Sequence, residues 1–483
     1  MFCLIFFLSL FSVCNSILIA KVQGYTIVGD MYNNLFNVTE NQCICEMIKV
    51  NDSISALNYF FTNQTCQLFR SNLSTIYIEF YSNSFFLFLN QSSISILNIR
   101  EYQPNTTSST TSSTSVTSTT TSSSSTSKTT STTTTSTTTS ACNLFFNQTT
   151  YSAVAQPWSV AVIDVNNDNK SDIIVANYAS SNVGVLLNTG NGTFNAQTTY
   201  LVGTGPWSVA VVDVNNDNKP DITVTNFDSN NIGVLLNTGN GTFSAQTTYS
   251  VGTNPVSVAV VDVNNDNKPD IIVANYKSNT VGVLLNAGNA TFNTQTTYPV
   301  STNPWSVSVV DVNNDSKPDI IVANYGSSNV GVLQNAGSGT FYAQTTYSVS
   351  PGPTTVAVVD VNSDNKPDIT VTNFDSNNVG VLLNTGNGTF NAQTTYSVGT
   401  SPVSVAVVDV NNDNKPDIIV ANYNSNNIGV LLNAGNGTFN PQTTYSVGIK
   451  PISIAVVDVN SDNKIDITFA NSGSNNVGIL LHC

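Results

Sequence analysis

The sequence predicts an all-β chain folded as a seven-bladed β-propeller of four-stranded blades and closed by its own N-terminal strand, on three observations. A motif of the form DVNNDNKPD recurs seven times at a spacing of 49 residues, beginning at Asp164, Asp213, Asp262, Asp311, Asp360, Asp409 and Asp458. Each copy is followed by short runs rich in Val, Ile, Thr and Phe, separated by Asn, Gly and Pro and free of helical periodicity. The last unit stops one strand short, and a match to the missing strand stands ahead of the first. A period near 50 with four strands per unit describes a propeller blade.

In chain order, residues 1–20, MFCLIFFLSLFSVCNSILIA, are an apolar run ending in small residues before Lys21, as in a secretory signal peptide. No Lys or Arg precedes the run, so an uncleaved anchor is the alternative. No other segment is long and apolar enough to span a bilayer, and no membrane insertion is expected after signal cleavage. The expected location is secreted or extracellular. Removing Cys3 and Cys14 with the signal leaves Cys43, Cys45, Cys66, Cys142 and Cys483, an odd number in an oxidising compartment. One of the first three is then free or intermolecular. Residues 25–103 read as a small disulfide-stapled extracellular module, and residues 104–140, nearly all Ser and Thr with Lys128 the only charge, as an O-glycosylated linker. Glycosylation sequons at Asn37, Asn51, Asn63, Asn72, Asn90 and Asn105, and at Asn191, Asn240, Asn289, Asn387 and Asn436 in the repeats, agree with secretion.

Residues 142–483 hold the propeller. In the second unit the strands are expected at Ser208–Val214, Asp221–Asn226, Asn231–Asn237 and Thr242–Val251. The first two are almost continuously apolar and should be buried near the ring centre, whereas the fourth alternates and should lie outside. The last unit ends after its third strand, Val477–Leu481, and its fourth is supplied by Leu144–Val154, whose FNQTTYSAV matches FSAQTTYSV at Phe243–Val251. The span of 342 residues is one short of 7 × 49 = 343, so seven blades leave nothing over. On the repeat numbering Cys142 and Cys483 fall two positions apart in one turn, within disulfide reach. A clasp there would contribute about 5 kcal/mol by the chain-entropy account. Pairing of Cys483 with Cys43, Cys45 or Cys66 is the alternative.

The repeated loop carries the chemistry. Oxygen-bearing side chains stand at its positions 1, 3, 5 and 9: Asp164, Asn166, Asp168 and Asp172 in the first copy, then Asp213, Asn215, Asp217 and Asp221, and Asp262, Asn264, Asp266 and Asp270. The fourth and fifth copies have Asp311, Asn313, Asp315 and Asp319, and Asp360, Asn362, Asp364 and Asp368. The last two have Asp409, Asn411, Asp413 and Asp417, and Asp458, Asn460, Asp462 and Asp466. Position 7 is a lysine whose carbonyl is free to turn inward, and Asn at position 6 tolerates the left-handed backbone of a tight curl. Hard oxygens at alternate positions suit Ca²⁺. Three aspartates in each of seven loops make 21 of the 29 acidic residues, and seven Ca²⁺ would carry the formal charge from −15 to about −1. A metal-free turn satisfied by its own backbone is the plain alternative.

With these residues in view, the chain resembles the FG-GAP and VCBS repeats of integrin α-subunit propellers over residues 142–483. The resemblance implies Ca²⁺ in the loop between the first and second strands. Position 3 is always Asn here and position 6 is Asn or Ser rather than Gly, which implies modest affinity. Residues 25–103 faintly resemble the apple or PAN binding modules.

The same composition limits function. Arg70 and Arg100 both precede the propeller, whose one histidine is His482. A histidine triad, zinc site or histidine base is hard to assemble, so no catalytic residues and no enzyme activity are expected. Acidity without a basic patch argues against nucleic acid. The expected role is adhesion or binding of an extracellular carbohydrate or protein. A structural coat scaffold is the alternative, and an accessory to a carbohydrate-active enzyme a more remote one. The ligand face is expected opposite the loops, where Trp158, Trp207 and Trp305 lie near Tyr178, Phe227, Asp228, Tyr276, Tyr325, Phe374, Asp375 and Tyr423. The plain reading of the tryptophans is packing between blades, with Val256, Thr354, Val403 and Ile452 as their counterparts.

Overall fold

The computed structural model describes residues 144–483 and, ahead of them, five strands at Ile19–Val28, Met31–Leu35, Ile54–Phe60, Thr65–Arg70 and Tyr77–Leu89. These five form one antiparallel sheet in which Tyr77–Leu89 pairs with both Ile19–Val28 and Ile54–Phe60. Residues 1–18 of the expected signal peptide, the Ser/Thr-rich segment 104–140, Cys43, Cys45 and Cys142 lie outside the described residues, and with them the expected disulfide staple; the first strand begins at Ile19, within the expected signal segment. Among the described residues no helix is long and apolar enough to cross a membrane.

Residues 144–483 build seven four-stranded antiparallel sheets. The first six blades follow one pattern, shown by the second: Pro206–Val212, Asp221–Asn226, Asn231–Leu235 and Thr247–Ser250, hydrogen-bonded in that order. In the seventh, Pro451–Val457, Asp466–Asn471 and Asn476–Leu480 are completed by Thr149–Ser152 from the start of the domain. A bridge between Phe145 and His482 extends that closure, as the repeat arithmetic requires. Cys483 is disulfide-bonded; the position expected to pair with it, Cys142, is not described.

Two expectations about the strands need correction. The segment Thr242–Val251 is not one strand: Thr242–Phe243 turns back on Asn237–Gly239 as a small hairpin, and only Thr247–Ser250 joins the blade as its outer strand. The break has a side-chain cause, because Gln246 swings over Gly233 to accept from Asn226 Nδ2 at 3.2 Å. A Cβ at Gly233 would lie 2.1 Å from the Gln246 amide oxygen, so the position has no room for a side chain. The fully buried pair is also the second and third strands, not the first and second. The inner strand begins at proline, which has no N–H to contribute, and is only partly buried in every blade. Its serines hold the ring together instead: Val209 N donates to Ser159 Oγ of the preceding blade at 3.3 Å, and Val160 N to Ser453 Oγ at 3.1 Å. Between the sheets lie buried Ile, Val, Leu and Phe such as Ile222, Val224, Leu235 and Phe243, the apolar burial that drives blade stacking.

Candidate metal loops and aromatic face

Each loop is curled by its own side chains. Asp164 Oδ1 accepts from Asn166 N and Asp168 N, its Oδ2 accepts from Asn169 N at 2.7 Å, and Asn166 Oδ1 also accepts from Asp168 N. The curl requires left-handed backbone at positions 4 and 6, where Asn167 and Asn169 have φ of 61° and 62°, and Asn or Ser fills both positions in all seven loops. Position 9 is set apart from the rest. Asp172 has no exposed surface, and its two oxygens accept from Val165 N at 3.0 Å and Asn188 N at 2.7 Å. Burial pushes its carboxyl up to about 6 against the pull of those two N–H groups, and the nearby Asp168 and Asp164 charges push the same way. Asp221, Asp270, Asp319, Asp368, Asp417 and Asp466 repeat this.

The lysine at position 7 is not the bystander the sequence suggests. In six loops its ammonium pairs with the position-5 aspartate, as Lys268 Nζ does with Asp266 Oδ2 at 2.9 Å. In the seventh, Lys464 turns instead to the carbonyl of Cys483. A hard cation seeking that carboxylate therefore meets a lysine already on it. Among the described residues no three His, Cys, Asp or Glu side chains are grouped as a metal site; the loop donors extend to Asn166 and to backbone carbonyls. The chemistry of the set, all oxygen with three carboxylates and one of them desolvated, fits a divalent hard cation.

A residue that sequence reasoning passed over ties these loops together. Asn237, which opens the small hairpin after the third strand, donates from Nδ2 to Val165 O of the preceding blade's loop at 2.8 Å and to Pro220 O of its own loop at 3.0 Å. Its own N–H goes to Asp221 Oδ1 and Val214 N to Asp221 Oδ2, so each loop is bonded to the next. Asn188, Asn286, Asn335, Asn384 and Asn433 do likewise. The chain of bonds breaks once, where His482 holds the asparagine position. His482 N still reaches Asp466 Oδ1, but its ring lies edge-on to Phe145 and both ring nitrogens are buried without partners. An asparagine after the apolar run in six of the seven repeats was the available signal.

The sequon asparagines occupy exposed left-handed turns of the small hairpins, with φ of 51° to 53°. These turns abut the preceding blade's loop, since a Cβ at Gly241 would lie 3.5 Å from Asn166 Cβ. Loops and sequons thus share one face, as expected.

On the opposite face the tryptophans begin the inner strands. Trp158 and Trp207 are 4.6 Å apart between ring centroids, and Trp207 and Trp305, two blades apart, are 5.7 Å apart. Contact across an intervening blade places them over the ring opening. Tyr178 packs on Trp158 and Trp207, Phe227 stacks on Trp207 at 4.8 Å, and Tyr276 and Tyr325 flank Trp305. All seven rings are half-buried. Tyr178 Oη donates to Asp228 at 3.3 Å and Tyr325 Oη to Asp375 at 3.4 Å. Phe374 and Tyr423 form a separate pair.

Solved structures share this architecture at low identity. A streptogramin B lyase is 15% identical with a TM-score of 0.51, over 70% of this chain and 98% of that one. A catalytically inactive virginiamycin B lyase from Staphylococcus aureus, solved with quinupristin, is 15% identical with a TM-score of 0.50, over 69% and 98%. BBS1N, solved in complex with ARL6DN, is 13% identical with a TM-score of 0.51, over 70% and 96%. These likenesses concern the fold alone. No curated protein sequence matches the chain. The FG-GAP-like repeat profile matches six overlapping times, at residues 164–224, 213–273, 262–322, 311–371, 360–420 and 409–469, each match running from one loop into the next blade's second strand. The chain belongs to the FG-GAP-like repeat family.

Proposed function

We propose that the chain is a secreted or cell-surface, calcium-stabilised propeller that binds an extracellular carbohydrate or protein through its aromatic face and has no catalytic role. The observation that carries this reading is the continuous set of half-exposed Trp, Tyr and Phe rings over the ring opening, on the face without sequons. Aromatic rings beside carboxylates and hydroxyls supply apolar contact with oriented polar groups, as binding sites require. Calcium in the loops would contribute positive charge among three carboxylates, with Asp164, Asn166, Asp168 and Asp172 and their counterparts holding it. A protein ligand is within the reach of this fold, as BBS1N is held in complex with ARL6DN. The one propeller histidine, its ring nitrogens shielded, supports a non-enzymatic role.

The test replaces Trp158, Trp207 and Trp305 by Ala together and measures melting and binding to cell surfaces in calcium. Lost binding with an unchanged melting temperature supports the reading. Binding retained per folded molecule refutes it.

A further inference from the structure

The aromatic face departs from the repeat in a way the fold does not need. At the tryptophan position the other four blades carry Val256, Thr354, Val403 and Ile452, all buried, so an aliphatic or small side chain completes a blade there. Trp158, Trp207 and Trp305 instead leave part of each ring exposed, in a chain whose blades are otherwise near copies. Exposed aromatic area gathered in one place marks a binding surface more than a packing requirement.

The network has two ends, and each is finished the same way. At one end Tyr178 donates to Asp228, whose carboxylate sits against Gly205. At the other Tyr325 donates to Asp375, whose carboxylate sits against Gly352. Both glycines have left-handed φ, 65° and 75°, and a Cβ on either would come within 2.5 Å of the aspartate oxygen. The pairs are 147 residues apart, three repeats. Both aspartates are exposed and keep lone pairs for further donors.

Resting on the ligand-binding reading above, we infer that the occupant of this face is a neutral oligosaccharide that lies across the tryptophans and gives hydroxyl hydrogen bonds to Asp228 and Asp375. Ring faces suit the C–H faces of pyranose rings, and carboxylates accept strongly from sugar hydroxyls. Charge selects against acidic glycans: the propeller has no arginine, and a sulfate or uronate would meet two carboxylates. The ammonium groups of Lys277 and Lys450 stand over the rings of Tyr276 and Tyr423. Two acceptor pairs at opposite ends favour a chain of sugars over a single one.

All three tryptophans of the chain belong to this network, so tryptophan emission reports on it alone. The full chain in calcium is titrated with laminarin, mannan and chitohexaose as neutral glycans, with heparin as the acidic one, and with tetramethylammonium as a simple cation. A saturable emission change with at least one neutral glycan and none with heparin is expected. Trp207→Val, which copies the residue of the third blade, and the pair Asp228→Asn with Asp375→Asn should each weaken it roughly tenfold or more without lowering the melting temperature. Saturation by heparin, or by tetramethylammonium alone, overturns the inference, as does unchanged glycan affinity in both folded variants. Tryptophan-dependent binding to cells with no response to any neutral glycan also overturns it, while leaving the broader ligand-binding reading in place.

Discussion

The asparagine that links consecutive blades offers the sharpest test of how the ring is held. Asn286 is 3% exposed and its side chain makes three hydrogen bonds: Nδ2 to Val214 O of the preceding loop at 2.8 Å, Nδ2 to Pro269 O at 3.0 Å, and Gly288 N to its Oδ1 at 2.9 Å. Asn286→Ala removes all three. At about 1 kcal/mol net for each, the loss is about 3 kcal/mol. Residues 144–483 number 340, and at about 2.1 cal/mol/K per residue the unfolding entropy is about 0.7 kcal/mol/K if the ring melts as one unit. The melting temperature should then fall by about 4 °C in calorimetry. His482 supplies the opposite experiment, because it holds this position in the last blade and bonds no ring nitrogen to Val410 O. His482→Asn should restore the missing link and raise stability by about 1 kcal/mol. If Asn286→Ala melts with the parent protein, or His482→Asn lowers the melting temperature, the bonds between loops do not hold the seams.

Four further outcomes are expected. Chelation should lower the melting temperature, since a ligand that binds only the folded state stabilises it, and Asp262→Ala with Asp266→Ala should remove one ion; superimposed melting curves with and without chelator would refute the calcium reading. In calcium-free buffer, stability should fall as the pH rises from about 3.8 to about 6, because a carboxyl with the folded pKa of Asp270 binds more protons folded than unfolded in that window; a melting temperature that climbs there would contradict the burial argument. Lys268→Ala should change stability by less than about 1 kcal/mol, the pair being solvent-exposed, yet tighten calcium binding by freeing Asp266; weaker binding by calorimetric titration would count against that competition. Non-reducing peptide mapping should recover Cys142 joined to Cys483, whereas Cys483 joined to Cys66 would tie the chain end to the N-terminal sheet.

Much of this molecule is legible in its sequence because the repeat is strict. Period, strand number and blade count are local or additive properties, and the match of FNQTTYSAV to the missing strand names the closing partner without coordinates. The loop positions are legible for the same reason, since a nine-residue curl is determined by neighbours along the chain. What only the tertiary structure decides depends on contacts between blades. The bond from Asn237 to Val165 joins residues 72 apart, and the meeting of Trp207 with Trp305 depends on the narrowness of the ring opening, which no single repeat encodes. The burial of Asp172 also needs the folded blade: an aspartate ending a polar loop looks exposed along the chain, and it is shielded from water where Asn188 N, 16 residues further on, closes on its Oδ1.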